Sequence, residues 1–301
     1  MSVSTPAYGG ATRSVADSIA DTPADTTADT TADSAPAANT AFISVKRSAL
    51  LSVLRRAASP LVLLALWEVA SRTGVLPERV LAAPSQIFVA LGELIASGEM
   101  GSNVWVSLQR VLTGLSVSLT LGTALALIAG LSRQGEVAVD STMQMARTLP
   151  FLGLVPLFIL WFGIGEFTKI ALIAFATTFP MYLTLYSGIR GIDSKLVEAA
   201  RLFGLSYPQL IVHVILPGAL PSFLVGLRYS LGVSWLSLVA VEQINATAGL
   251  GYLINNARDF MRTDVIVVCL LVYSLLGLAT DLLVRAIEHY ALAWRPTFIK
   301  D

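Results

Sequence analysis

Side chains suited to covalent or metal chemistry are scarce. The two histidines, His213 and His289, stand far apart in the chain, and the single cysteine, Cys269, lies inside an apolar run. A zinc or transition-metal centre takes three or four such ligands at recurring spacings, so no metal site is expected, and one thiol cannot close an internal disulfide. Neither an H-E-x-x-H zinc helix nor a G-x-S-x-G nucleophile turn occurs, and a G-x-x-x-x-G-K-[ST] phosphate loop is missing too. The chain is therefore expected to be no enzyme, to need no cofactor, and to hold no ATP of its own.

What the sequence does offer is charge where charge is costly. Arg228 follows Pro217 by eleven residues within an apolar run, which is about 16 Å along a helix and so near the middle of a bilayer span. An ionisable group at that depth is a candidate for function, here attraction of an anion; snorkelling or pairing with Asp281 or Glu242 is the structural alternative. Ser234, Trp235 and Ser237 share the run, with Glu242 at its outer end, and could line a path for a solute. Tryptophan anchors helices at membrane interfaces and serine packs them closely, so both residue types serve structure equally well.

A second set of residues shapes a loop. In the stretch from Asp193 to Gly204, Asp193 or Ser194 is a suitable N-cap, good helix formers follow, and Gly204 supplies the left-handed residue that ends a helix. Leu196, Ala200 and Phe203 recur at i, i+4, i+7 and form one apolar stripe, with Glu198 and Arg201 elsewhere on the helix. Another helix start follows at Ser206-Tyr207-Pro208, running past His213 to Leu216, and Pro217 with Pro221 stiffens what comes next. The expected shape is a rigid elbow whose stripe must be buried against a partner, the membrane surface or the protein itself.

These residues sit in a chain of 301 residues that is 55% hydrophobic and only 13% charged, with formal charge +0. Such a composition suits a polytopic membrane protein, and without a basic stripe it makes nucleic acid a poor partner. At about 20 apolar residues per bilayer crossing, six spans are expected, near 60–77, 105–131, 148–164, 167–189, 217–243 and 264–287, giving an all-α fold. The span at 148–164 is short and carries Pro150 and Pro156, which fits a short or broken helix. Residues 78–103 hold a helix start at Pro84-Ser85, then Ile87, Phe88, Ala90, Leu91 and Leu94 on one face, the pattern of an interfacial helix. Small residues at every fourth position, Gly114, Ser118, Gly122, Ala126 and Gly130, open one face of the second span to close approach by another helix, or else to a second subunit.

Flanking charge sets the orientation. With the N-terminus inside, Arg13, Lys46, Arg47, Arg55, Arg56, Arg133, Arg147, Arg190, Lys195, Arg201, Arg285, Arg295 and Lys300 fall on the cytoplasmic side. Arg72, Arg79, Arg110, Lys169, Arg258 and Arg262 fall outside or at the outer interface. This bias places both termini and the loop 190–216 in the cytoplasm, as a multi-pass protein of the inner (plasma) membrane. Residues 1–41, rich in Ala, Thr, Asp and Ser, are too polar to bury a core and read as a disordered tail without the apolar run of a secretory signal. Residues 42–104 then hold a basic flank, the first span and the interfacial helix, and 105–294 hold the core.

The string EAARLFG at 198–204, followed by Val214, Leu216 and Pro217, resembles the cytoplasmic EAA motif of binding-protein-dependent ABC importer permeases, whose pattern is E-A-A, three residues, G, nine residues, I, one residue, L-P. Valine at 214 in place of isoleucine is a conservative departure. From about Trp105 to Trp294 the chain is similar to the nitrate, sulfonate and taurine branch, and within it to permeases for aliphatic sulfonates; segments 156–165, 213–222 and 262–268 carry the likeness. That resemblance implies a type I, MetI-like fold. It also implies a homodimer of permeases in membrane lipid, two ATPase subunits, and a periplasmic or lipid-anchored solute-binding protein. The helix bearing Leu196, Glu198, Ala199, Ala200, Phe203 and Gly204 would be the coupling helix set in a groove of the ATPase. Taurine or nitrate is the alternative cargo. A secondary transporter driven by an ion gradient is the alternative class, for which inverted repeats and paired intramembrane acids would be expected and no clear repeat is visible.

Overall fold

The structure is a computed structural model describing residues 58–244 and 246–293; the expectations for residues 1–41 and the basic flank up to residue 57 lie outside the described residues. Among those described, ordered elements are all helical. They are α1 (58–72), α2 (Pro84–Ala96), α3 (Glu99–Leu131), α4 (Arg133–Ala146), α5 (Phe151–Phe162) and α6 (Glu166–Arg190). Then follow α7 (Ser194–Leu202), α8 (Tyr207–Leu210), a π turn (Ile211–Ile215), α9 (Leu216–Glu242), α10 (Leu250–Asp259) and α11 (Thr263–Ala291).

Among the described residues, four stretches are long and apolar enough to cross a membrane: α3, α6, α11, and α8 through α9 as one run from Tyr207 to Glu242. The expected span at 148–164 is a broken one. Only Phe151–Phe162 is helical there, too short to cross alone, and it joins α4 across a bend of 103°. If that pair counts as one span the number rises to five; of the expected first span the helix 58–72 is what the described residues hold.

The framework is α6 lying between α3 and α9. On α3, small residues at every fourth position let α6 come close. A Cβ added to Gly114 would stand 2.7 Å from Ile173 Cγ2, one at Gly122 3.0 Å from Met181 Cβ, and one at Gly130 2.8 Å from Ile189 Cγ2. Side chains that would separate the two helices are thus excluded along about four turns, and the seam lies inside this subunit. Around α6, Ala126, Met143, Tyr182, Leu185 and Ile189 form one apolar cluster and Val155, Phe158, Leu172 and Val241 another.

The α2 stripe also packs inward. Ile87, Ala90 and Leu94 are buried in a cluster with Val268, Cys269 and Tyr273 of α11, while Phe88 is 71% exposed and turns away from it. Helix periodicity alone reports an apolar face without saying whether protein or lipid covers it. Large apolar side chains such as Leu121, Leu270, Leu275 and Leu278 stay exposed over the long helices, the surface suited to a hydrocarbon solvent.

Candidate functional sites: a buried polar knot and an exposed elbow

At the end of the bundle away from residues 193–217, charged side chains converge below the α9–α10 connection. Arg110 on α3 donates from Nε and Nη2 to the two oxygens of Glu166 on α6, 2.6 Å each, and from Nη1 to Glu242 Oε1 at 2.6 Å and to the Ala248 carbonyl at 2.7 Å. Lys169 donates to Glu166 at 2.8 Å. Glu242 is fully buried and accepts in addition from Ser107 Oγ at 2.8 Å, Gly251 N at 2.9 Å and Tyr273 OH at 2.7 Å. Ser107 in turn accepts from Leu250 N, and Asn103 Oδ1 accepts from Gly249 N. Two cations meet two carboxylates, and five helices are fastened to one another by saturated hydrogen bonds. Buried charge persists only when paired and bonded in this way.

The sequence places Glu242 on a solute path and Arg110 and Lys169 at the outer interface. In the structure all three are interior, Arg110 being 3% exposed, and Glu242 is committed to the knot. The readable signal for the knot was Arg110 itself, a guanidinium eleven residues into α3 with apolar turns on both sides, which requires a carboxylate somewhere within reach.

The other candidate path residues do not gather in one cavity. Arg228 donates to Asp281 Oδ1 at 2.7 Å, one of the alternatives set out for it, and Asp281 also accepts from Arg285 at 2.8 Å. Trp235 donates from Nε1 to Thr280 Oγ1 at 3.0 Å, and with Arg228 it lines a cleft of about 350 Å3 between α9 and α11. Ser234 is buried and donates to the Leu231 carbonyl at 2.7 Å. Ser237 faces a different cleft, between α5, α6 and α9.

At the opposite end, residues 193–217 form the elbow that caps and glycine dictate. Asp193 caps α7 by accepting from Lys195 N at 2.9 Å. The helix closes on Gly204 at φ +80°, where Gly204 N donates to the Arg201 carbonyl and Leu205 N to the Ala200 carbonyl, the paired bonds of a Schellman stop. Ser206 and Gln209 form a capping box for α8, and Tyr207 OH donates to the Leu131 carbonyl at 2.8 Å, tying the elbow to the end of α3.

Helix α8 does not stop before the span. It continues through the π turn into α9, with Leu216 N donating to Ile211 O. Pro217 lacks an N–H and its ring would crowd the carbonyl four residues back; a π turn just before it opens the ladder there. Of the predicted stripe, Leu196 is 59% and Phe203 85% exposed, joined by Leu202 at 90%, whereas Ala200 is buried. Glu198, Leu216 and Pro217 are exposed and Ala199 and Val214 half-buried.

Comparison with known proteins places the chain in a family. Residues 118–290 match the binding-protein-dependent transport system inner membrane component. The chain is 47% identical over 239 residues to the putative aliphatic sulfonates transport permease protein SsuC of Escherichia coli (strain K12), covering 79% of this chain and 91% of that one. It is 41% identical to the protein of the same description from Bacillus subtilis (strain 168), over 79% of this chain and 87% of that one. With the taurine transport system permease protein TauC of E. coli it shares 33% identity over 77% of this chain and 86% of the relative. Among solved structures, an amino acid ABC transporter crystallised with histidines superposes with a TM-score of 0.57 at 18% identity, over 66% of this chain and 97% of that one, a likeness of fold. An inward-facing MetNI methionine ABC transporter gives 0.51 at 19% identity, over 62% and 94%. All-helical among its described residues, with four or five apolar spans there and a MetI-like frame, and matched over more than half its length by the family model, the chain belongs to the inner-membrane components of binding-protein-dependent transport systems: it is the permease subunit of an ABC importer, with ATP hydrolysis left to a separate subunit.

Proposed function

We propose that this permease carries aliphatic sulfonates into the cell, as a homodimer whose two elbows each engage one ATPase subunit, with both termini in the cytoplasm. Support for the cargo comes from relatives named for aliphatic sulfonates at 47% and 41% identity, against 33% for the one named for taurine, the second reading. The observation carrying the docking role is the set of apolar side chains held in the open by a helix capped at both ends: Leu196, Leu202 and Phe203. Large hydrophobic groups on a rigid, solvent-facing helix mark a surface for a partner. Glu198 stands exposed on the same helix and makes no ion pair among the described residues, free to bond to the partner's groove.

The orientation follows from the charge flanking the spans, and moving Arg147, Arg110 and Lys169 out of the flanking count leaves the excess on the elbow side intact. Two measurements test the reading. Detergent extraction should recover the permease with ATPase subunits in equal number, and Glu198→Lys should release them. Deleting the gene should abolish growth on alkanesulfonates as sole sulfur source while sparing growth on sulfate; unimpaired growth on alkanesulfonates, with loss on taurine, would move the cargo to the second reading.

A further inference from the structure

The break between α4 and α5 lies at mid-depth of the bundle. Helix α4 runs beside one half of α6: Tyr186 OH donates to Glu136 at 2.8 Å, Arg190 pairs with Glu136, and Tyr182 OH donates to Asp140 at 2.9 Å. Two turns later the chain reaches Arg147, which shares a cleft with Phe179, midway along α6, and with Leu236 and Ser237 of α9. It then bends by 103° and continues as α5 beside the other half of α6. Backbone that leaves the helix at such depth is tolerated where it lines a cavity, and broken helices are where transport proteins build sites for ions and polar solutes.

Arg147, exposed among the described residues, differs from four other cations along these helices. Arg110, Lys169, Arg190 and Arg228 each meet a carboxylate within 4 Å. Arg147 meets none among the described residues and donates no side-chain hydrogen bond there. Its cleft holds about 410 Å3, within the range of small-molecule sites. The walls are apolar: Phe151, Phe175, Phe179 and Leu236, with Phe175 and Phe179 edge to face at 4.9 Å. Ser237 adds a hydroxyl. One unpaired guanidinium above an aromatic slot is complementary to a small molecule with an anionic head and a hydrocarbon tail.

Building on the sulfonate reading above, we propose that Arg147 holds the anionic group of the transported solute during its passage, with the alkyl chain lying against Phe175, Phe179 and Leu236. A guanidinium fork matches the planar array of oxygens on a sulfonate face as it does a carboxylate or phosphate, and the shallow apolar wall sets the tail length that fits.

The test uses the complete transporter, permease with its ATPase and solute-binding protein, in proteoliposomes, and reads ATP-dependent uptake of ethane-, butane- and octanesulfonate. Arg147→Gln should lower uptake of all three at least tenfold, with the assembled complex recovered in wild-type amount, and Arg147→Lys, which keeps the charge and loses the fork, should fall between Arg147→Gln and wild type. Phe179→Ala, which deepens the slot, should shift the preference toward octanesulfonate at least fivefold. Uptake by Arg147→Gln within twofold of wild type overturns the proposal. If that variant fails to assemble, an unchanged chain-length preference in Phe179→Ala overturns it. A wild-type transporter that carries none of the three overturns the sulfonate reading as well, whereas normal wild-type uptake with a silent Arg147→Gln sinks the proposal alone.

Discussion

The knot around Glu242 and the elbow around Phe203 are built from opposite materials at opposite ends of one bundle. In the knot, Arg110, Lys169 and Glu242 are buried, and each is answered from within the chain, Glu166 closing the network from its exposed edge. In the elbow, apolar groups are exposed and answered by nothing among the described residues. Each reverses the usual placement of its residue type, and the cost of that reversal tells what each is for. A buried ion network that closes on itself fixes how five helices meet, and a rigid apolar surface that stays open is fitted for another protein. Substitutions in the knot should therefore act on stability, and substitutions in the elbow on coupling.

The largest effect is expected at Glu242. Its replacement by alanine leaves Arg110 and Lys169 sharing the single carboxylate of Glu166 and takes the acceptor from Ser107, Gly251 and Tyr273 together. Removing one partner of a buried pair costs about 3–5 kcal/mol, enough to deplete the folded protein in the membrane and lower the midpoint of thermal unfolding in detergent. An unchanged midpoint would break the comparison from the knot side.

Next in size is the α3–α6 seam that supports the knot. A valine at Gly114 would drive its Cβ into Ile173, and overpacking of this kind costs about 1–3 kcal/mol. The same thermal measurement should show a smaller shift than Glu242→Ala, with the ATPase still bound to whatever folds.

On the elbow side, Gly204→Val places a β-branched residue at φ +80°, which costs roughly 1–2 kcal/mol in local backbone strain. No side chain lies within 4 Å of the position a Cβ would occupy, so the strain is confined to the turn after α7. Membrane content should match the wild type and ATP-dependent uptake should be lost. Uptake at the normal rate would mean that the shape of this turn does not matter to the motor.

How much of this was readable beforehand follows the range of the interactions. Asp193, Gly204 and the Ser206–Gln209 pair act within one turn of the chain, and the helix ends they set are where the residues predict. The small residues of α3 declare a close seam because their spacing is itself local. The knot joins Arg110 to Glu242 across 132 positions, and nothing local names that partner. Helix α4 was missed for another reason. Its stretch Arg133–Ala146 is polar enough to look like a connecting loop, yet Glu136 and Asp140 find Tyr186, Arg190 and Tyr182 on α6. With that turn unread, Arg147 appeared to flank a span at the cytoplasmic face, and the bend that sets it beside Phe179 was hidden. Hydropathy sees the cost of a charge and not the partner that offsets it.

The smallest effect expected tests the tether between the two regions. Tyr207 OH, donating to the Leu131 carbonyl at 2.8 Å, is the side-chain bond by which the elbow holds the end of α3, the helix whose other half carries Arg110. The residue is 53% exposed, and when phenylalanine replaces it water can satisfy the carbonyl, so the loss should stay at about 0.5–1.5 kcal/mol. If the elbow acts as a rigid lever, that modest loosening should leave ATPase binding unchanged and reduce the uptake gained per ATP hydrolysed, measured as the ratio of the two rates in proteoliposomes. An unchanged ratio would place the rigidity of the elbow in its caps and in the continuous helix from Tyr207 to Glu242 rather than in its bond to α3.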